Sequence, residues 1–453
     1  MRTVNVTQVL ADSKFNKVTL TVFLLCAFVI GFDGYDIAMF GVSLPMLMEE
    51  WGLTPIETGF VASYTLVGMM IGALICAPMA DKIGRKRVLL IALILFSLFT
   101  SLGGFSTNPT MFAILRFIAG IGMGGIMPTV ISLMSEFSPK KNRAFLVATM
   151  YCGYSVGGMS AAIIGIYIAD VFSWRILYFI AGIPLLAVPL VIKLFPESLP
   201  FYIARNQKGK IVNILNRVHP EGNYQINDNF QFENAEESSK GSPISKLFTE
   251  KRGFSTGMFW LAMFCCLLMV YGLNTWLPKI MQASGFGLGS SLAFIIALNF
   301  GQILGSTVGG WASDRFGYKS ILGSLLILGA ITFVLLSFTT SPFWLYVLVT
   351  LGGVSTLGIM NISAPYISDY YPRAIRTTGI GYAFAAGRIG SILAPTLLGF
   401  LLTTNIAPQM NFMFFAIPSL IAAFAFFSIR EKHGTYDKTN QMTITEKKSG
   451  FIG

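Results

Sequence analysis

A chain of 453 residues that is 54% hydrophobic and only 12% charged, with a mean hydropathy of +0.67, lacks the composition of a protein folded in water. Water-soluble domains carry about 25% charged residues, and the 39 Phe and 46 Gly fit lipid as the solvent, because small residues let membrane helices approach closely. The net charge of +11, which would point to nucleic acid in a soluble protein, is better placed in cytoplasmic loops, so no nucleic-acid partner is expected.

Residues 1–17 are mixed polar, and the apolar run from Val18 outlasts a signal peptide without a cleavage site. It is the first of twelve runs long enough to cross a bilayer. Their expected limits are 18–45, 56–79, 87–104, 111–134, 144–169, 176–195, 255–278, 288–311, 320–338, 343–365, 377–402 and 409–429. Between spans 6 and 7, residues 197–252 read as a polar cytoplasmic linker, with a short surface helix around Phe201–Arg217 and a turn at His219–Gly222. The expected division is an N-terminal segment (1–17), a six-helix half (18–196), the linker (197–252), a second half (253–430) and a cytoplasmic tail (431–453).

Placing both termini inside puts 28 of the 32 Lys and Arg on the cytoplasmic side, the exceptions being Arg116, Arg175, Lys279 and Arg388. The five cysteines lie in apolar stretches without metal-binding spacing, so they read as packing residues, with no metal and no cofactor.

A constant offset of 233 carries the first half onto the second. Asp81-Lys82-x-Gly84-x-Lys86 matches Asp314-Arg315-x-Gly317-x-Lys319, and Glu136-x-x-Pro139-x-x-x-Arg143 matches Asp369-x-x-Pro372-x-x-x-Arg376. Leu44-Pro45-x-x-Met48 matches Leu277-Pro278-x-x-Met281, and Gly68 and Gly72 match Gly301 and Gly305. The expected fold is an all-α membrane protein of twelve transmembrane helices in two pseudo-symmetric six-helix halves. Transporters built this way hold substrate near the bilayer midplane and work by alternating access.

The run from Asp81 to Arg87 resembles the loop 2–3 signature of the major facilitator superfamily, although Ala77 stands where that signature opens with Gly; the second copy keeps Gly310. Arg116-x-x-x-Gly120-x-Gly122 resembles a further superfamily signature, and Pro196-Glu197-Ser198 is similar to the branch of sugar, organic-ion and aromatic-acid carriers. Asp33-Gly34-Tyr35-Asp36, with Gly272–Pro278 of span 7, resembles the aromatic acid:proton symporters. That resemblance implies a small aromatic carboxylate as substrate and protons as the coupling ion.

The repeat sorts the charges. Asp81, Gly84, Arg85, Arg143, Asp314, Arg315, Gly317, Asp369 and Arg376 lie at cytoplasmic span ends and read as gate or scaffold residues, with coupling as the alternative. Glu136 lies near the membrane edge and is a candidate for either role. Asp33, Asp36, Arg116 and Arg388 lie within spans and lack a charged repeat mate. A charge at the bilayer centre costs about 2.5–3.5 kcal/mol on insertion scales, so these four are the functional candidates. Asp33 and Asp36 are three residues apart, close enough to hinder each other's ionisation, and are the expected proton carriers; the alternative is a permanent pairing with Arg116 or Arg388. The resemblance implies a part in proton transfer for Arg116, with helix packing as its alternative.

Arg388, among small residues, is the expected anchor for the substrate carboxylate, a structural ion pair being the alternative. Tyr35, Tyr154, Asn274, Asn299, Gln302, Asn361 and Tyr382 are candidate cavity residues, with packing as the bland reading of each. His219 and His433 read as solvated surface residues. Taken with that resemblance, which supplies the substrate class, these features lead us to expect a monomeric proton-driven importer of a small aromatic carboxylate in a bacterial cytoplasmic membrane, and not an enzyme. Rivals are an efflux antiporter, though span 5 lacks a Gly-Pro step, and a sugar or organic-cation carrier, which Arg388 disfavours.

Overall fold

The computed structural model describes residues 2–169, 172–231, 243–372, 375–404 and 406–434, with backbone only at Ala77, Asp81, Ala144, Ala169 and Thr377. Among them, twelve helices are long and apolar enough to cross a membrane. The first six are Lys17–Trp51, Pro55–Ala80, Arg85–Gly103, Pro109–Phe137, Phe145–Ile168 and Arg175–Leu194. The second six are Gly253–Ala283, Leu288–Phe316, Tyr318–Phe338, Pro342–Tyr370, Thr378–Leu401 and Pro408–Ser428. The helices form two compact units, one of residues 1–53 and 60–234, the other of 54–59 and 235–453.

Spans 1 and 7 run past the prolines at which the sequence reading ended them. Span 1 continues through Pro45 to Gly52, whose left-handed φ of 61° caps the helix, and span 7 continues through Pro278 to Ala283. Proline removes one intrahelical hydrogen bond, and in a long membrane helix packing on all sides offsets that loss. Residues 33–45 of span 1 are buried without interruption, as are their repeat mates 266–278 of span 7.

The repeat extends to atomic contacts. In the first unit Gly68 and Gly72 of span 2 lie against the backbone carbonyls of Phe117 and Ile121 on span 4. In the second, their mates Gly301 and Gly305 lie against the carbonyls of Thr350 and Val354, which are the mates of Phe117 and Ile121. A methyl group at any of the four would collide with backbone, so these glycines set the approach of the helices. Span 1 packs most extensively on span 5, and span 7 likewise on span 11. Span 10 is interrupted by a π-helical turn at Val354–Gly358.

The polar segments at the N-terminus and in the linker form one small structure on the first unit. Strand Thr3–Asn5 pairs in parallel with Asn229–Gln231, and the Asn16 side chain caps span 1 while donating to the Val218 carbonyl. The single linker helix expected around Phe201–Arg217 is two helices, Leu199–Ala204 and Lys208–Val218. They are separated by Asn206 at a φ of 53°, a conformation that ends a right-handed helix. The tail from 435 onward and linker residues 232–242 lie outside the described residues.

Candidate functional site

Two groups of charged residues stand out in the first unit, and a third in the second. The first is inside the membrane-spanning helices. Arg116 of span 4 donates from Nη1 to Oδ1 of Asp36 of span 1 at 2.6 Å, and both side chains are removed from solvent, at 2% and 0% exposure. Thr100 of span 3 donates to the same oxygen at 3.1 Å, and the guanidinium lies over the Tyr178 ring at 5.8 Å. Tyr178 in turn shares a hydrogen bond with Ser43 at 2.9 Å.

Asp36 Oδ2 and Arg116 Nε are buried with no hydrogen-bond partner among the described residues, and so is Ser97 Oγ of span 3. Taking two charges out of water costs several kcal/mol per ion, which their attraction offsets only when the remaining polar atoms are also bonded. Among the described residues this pair is therefore incompletely satisfied.

Asp33, one helical turn earlier, is buried as well. Of the two carboxylates it is Asp36 that holds Arg116. The Tyr35 hydroxyl between them donates to the Leu177 carbonyl at 2.9 Å, so its polar end is engaged inside the unit. Tyr154 is buried on span 5, and its backbone carbonyl lies against Gly34.

A second group lies at the signature loop between spans 2 and 3 and the adjoining ends of spans 4 and 6. Glu136 at the end of span 4 accepts from Arg85 at 2.7 Å, from the Ser198 hydroxyl at 2.9 Å and from the Leu199 amide at 2.6 Å. Glu197 accepts from the Lys86 and Ser198 amides at 2.9 and 3.0 Å, the former at the start of span 3, where a carboxylate faces the positive helix end. Two acids thus tie the start of span 3, the end of span 4 and the Pro-Glu-Ser segment together.

Gly84 sits at a φ of 102°, and a Cβ there would strike the Glu197 carboxylate; its mate Gly317 sits at 88°. Both loops therefore need glycine for the backbone itself. Arg143 reaches the Ser138 carbonyl at 3.5 Å, while the side chain of Asp81 lies outside the described residues.

The second unit echoes this with different chemistry. Asp314 accepts from Tyr318 at 3.2 Å, Asp369 lies within electrostatic reach of Arg376 and Asp314, and Arg315 rests over Trp311 and Phe316. Lys319 donates to the Ile429 carbonyl as its mate Lys86 donates to Ile192, in each case at the end of a unit's last span.

In the middle of the second unit, Arg388 of span 11 is half-buried and donates from Nη1 to the Tyr271 hydroxyl of span 7 at 2.9 Å. Asn274 and Asn299 are buried and each donates to the carbonyl four residues earlier, Val270 and Ile295. Gln302 is buried with Oε1 unbonded among the described residues, and Asn361 donates to Ser306 at 2.8 Å. Tyr382 is 37% exposed and stacks on Trp260 with ring centroids 6.2 Å apart.

The sequence reading did not single out Thr100, Tyr178 or Tyr271, although each touches a charge it had named. The signal was present for two of them. The mate of Thr100 is Phe333 and that of Tyr271 is Ala38, so both are unrepeated polar residues on a repeated scaffold.

Twelve spans in a duplicated plan, with an acid–guanidinium pair buried inside them, are the plan of a polytopic membrane transporter. The chain belongs to the major facilitator superfamily, whose family model matches residues 26–301 and 290–449. It is similar to the benzoate transport protein of Acinetobacter baylyi, 40% identical over 436 residues that cover 95% of this chain and 94% of that one. It is similar also to the gentisate transporter of Corynebacterium glutamicum, 32% identical over 94% of this chain and 90% of that one. The resemblance to the aromatic acid symporters drawn from Asp33–Asp36 is borne out at the level of family. A solved D-xylose–proton symporter matches with a TM-score of 0.73 at 16% identity, covering 92% of this chain and 99% of that one, a likeness of fold alone.

Proposed function

We propose that this protein imports a small aromatic carboxylate, such as benzoate or a hydroxybenzoate, together with protons across a bacterial cytoplasmic membrane. The observation that carries the reading is the desolvated Asp36–Arg116 pair with its unsatisfied Oδ2 and Nε. The names of the related transporters support the substrate class. In this reading a proton arriving at Asp36 cancels its charge and releases Arg116, whose guanidinium keeps its own charge at any working pH. Loss of that charge removes the attraction that holds Arg116 to span 1, so proton arrival biases the unit between two arrangements. Asp33, on the same helix, is the second carboxylate of the route.

The energetics support coupling. An aromatic acid with a pKa of about 4 is an anion at neutral pH. Carrying it into an inside-negative cell costs roughly 2.3 kcal/mol per 100 mV. One proton cancels that charge, and a second lets the potential drive uptake. Arg388, oriented by Tyr271, is the proposed carboxylate anchor, with Gln302, Asn274, Asn299 and Tyr382 as further contacts and Glu136 as a tie of the scaffold.

The test is uptake into proteoliposomes under an imposed pH gradient, acid outside, with benzoate, gentisate, hydroxybenzoates and a neutral sugar in competition. The acids are expected to accumulate and to compete. Asp36→Asn is expected to abolish gradient-driven accumulation while substrate exchange without net proton movement survives. An Asp36→Asn protein that still concentrates benzoate from the gradient would refute the proton route.

A further inference from the structure

Outside the membrane-spanning charge pair, the first unit carries a cavity of about 250 Å³ that transport does not explain. It lies where the start of span 3, the end of span 6 and the two linker helices meet. Lys86, Arg87, Arg205 and Lys210 line it against a single acid, Glu197, with Tyr202 beside them. None of the four cations is in an ion pair among the described residues. Lys86 and Arg205 each give one donor to a carbonyl, of Ile192 and Lys82. An ammonium has three donors and a guanidinium five, so both keep others in hand. Glu197 Oε1 accepts from the Lys86 and Ser198 backbone amides, and its single carboxylate stands against four cations. The cavity is therefore an excess of positive charge in a walled recess, the electrostatic complement of a phosphate.

What lies next to it decides the source of that phosphate. From the cavity, span 3 presents Ile91, Ile94 and Leu98 to the exterior at helical spacing, and span 6 presents Leu186, Leu190 and Ile192. An exposed apolar strip leading up to a cationic recess at the membrane edge matches a molecule with acyl chains and a charged head. We infer that the recess binds the headgroup phosphate of an anionic phospholipid, with its chains along spans 3 and 6. Because Glu197 also fixes the start of span 3 and the Pro-Glu-Ser segment, such a lipid would brace the same structure that Glu136 ties from the other side.

The experiment uses the full chain purified in detergent and native mass spectrometry, with phosphatidylglycerol, phosphatidylcholine and inorganic phosphate as probes. Phosphatidylglycerol is expected to be retained in preference to phosphatidylcholine, and millimolar inorganic phosphate is expected not to displace it. Removing two exposed cations in Arg87→Gln/Lys210→Gln should weaken retention roughly thirtyfold, at about 1 kcal/mol for each basic residue near an anionic headgroup. The charge-keeping pair Arg87→Lys/Lys210→Arg should retain it. Should the double Gln variant not fold, Lys210→Gln alone carries the test at about fivefold. Equal retention of the two lipids, or undiminished retention by the Gln variants, overturns the inference. Displacement by inorganic phosphate overturns the lipid as the source.

Discussion

Arg388 is the residue whose chemistry is most open to direct test. Its Nη1 donates to the Tyr271 hydroxyl at 2.9 Å, and a guanidinium is a planar fork of the kind that meets a carboxylate with two parallel bonds. Arg388→Gln is expected to remove about 1.5–3 kcal/mol, a loss of roughly ten- to a hundredfold in affinity for an aromatic acid. Arg388→Lys should also bind weakly, since lysine keeps the charge without the planar fork. Calorimetry on purified protein, with the acid and its neutral amide side by side, reads the difference. A Gln variant that bound the acid at full strength and still rejected the amide would leave Arg388 a structural partner of Tyr271.

The elements at the signature loops are held by acids that each serve several partners. Glu136 alone accepts three hydrogen bonds, linking span 4 to Arg85 and to the first residues after Pro196-Glu197-Ser198 begins. Its replacement strands donors that are mostly shielded from water, so Glu136→Ala should cost about 1–3 kcal/mol. The expected readouts are a lower apparent melting temperature in detergent and faster proteolysis near Ser198. Unchanged melting and cleavage would mean that the segment is held by Glu197 without help from Glu136. The single linker helix expected around Phe201–Arg217 is two, and the apolar spacing of Ile211, Ile214, Leu215 and Val218 belongs to the second alone. The break at Asn206 depends on how each piece docks, which periodicity does not encode.

For the whole molecule, the distribution of basic residues sets an orientation. With 28 of 32 Lys and Arg on one side, both termini and residues 197–252 are expected in the cytoplasm. Cysteines introduced at Lys208 and Gly222 should resist an impermeant thiol reagent in intact cells and react once the membrane is opened; labelling from outside would reverse the topology. The duplication also explains why function was partly legible at this scale. Repeated residues such as Gly84 and Gly317 serve a geometry both units need, whereas Asp36, Arg116 and Arg388 have no charged mate, which is what makes them the proposed functional residues.

Twelve spans, their duplication and the four intramembrane charges follow from residue order, because insertion into lipid is decided by local composition and a repeat is a linear property. Partner choice does not follow from it. Asp33 and Asp36 are equal candidates in the sequence, and only the packing of spans 1, 3 and 4 brings Arg116 and Thr100 to Asp36. In the same way Tyr271 comes to Arg388 across 117 residues, and the linker's basic side chains close a recess with Lys86 and Arg87. A hydrogen bond acts over about 3 Å, so which charges meet is decided by the rotation and crossing of helices distant in the chain.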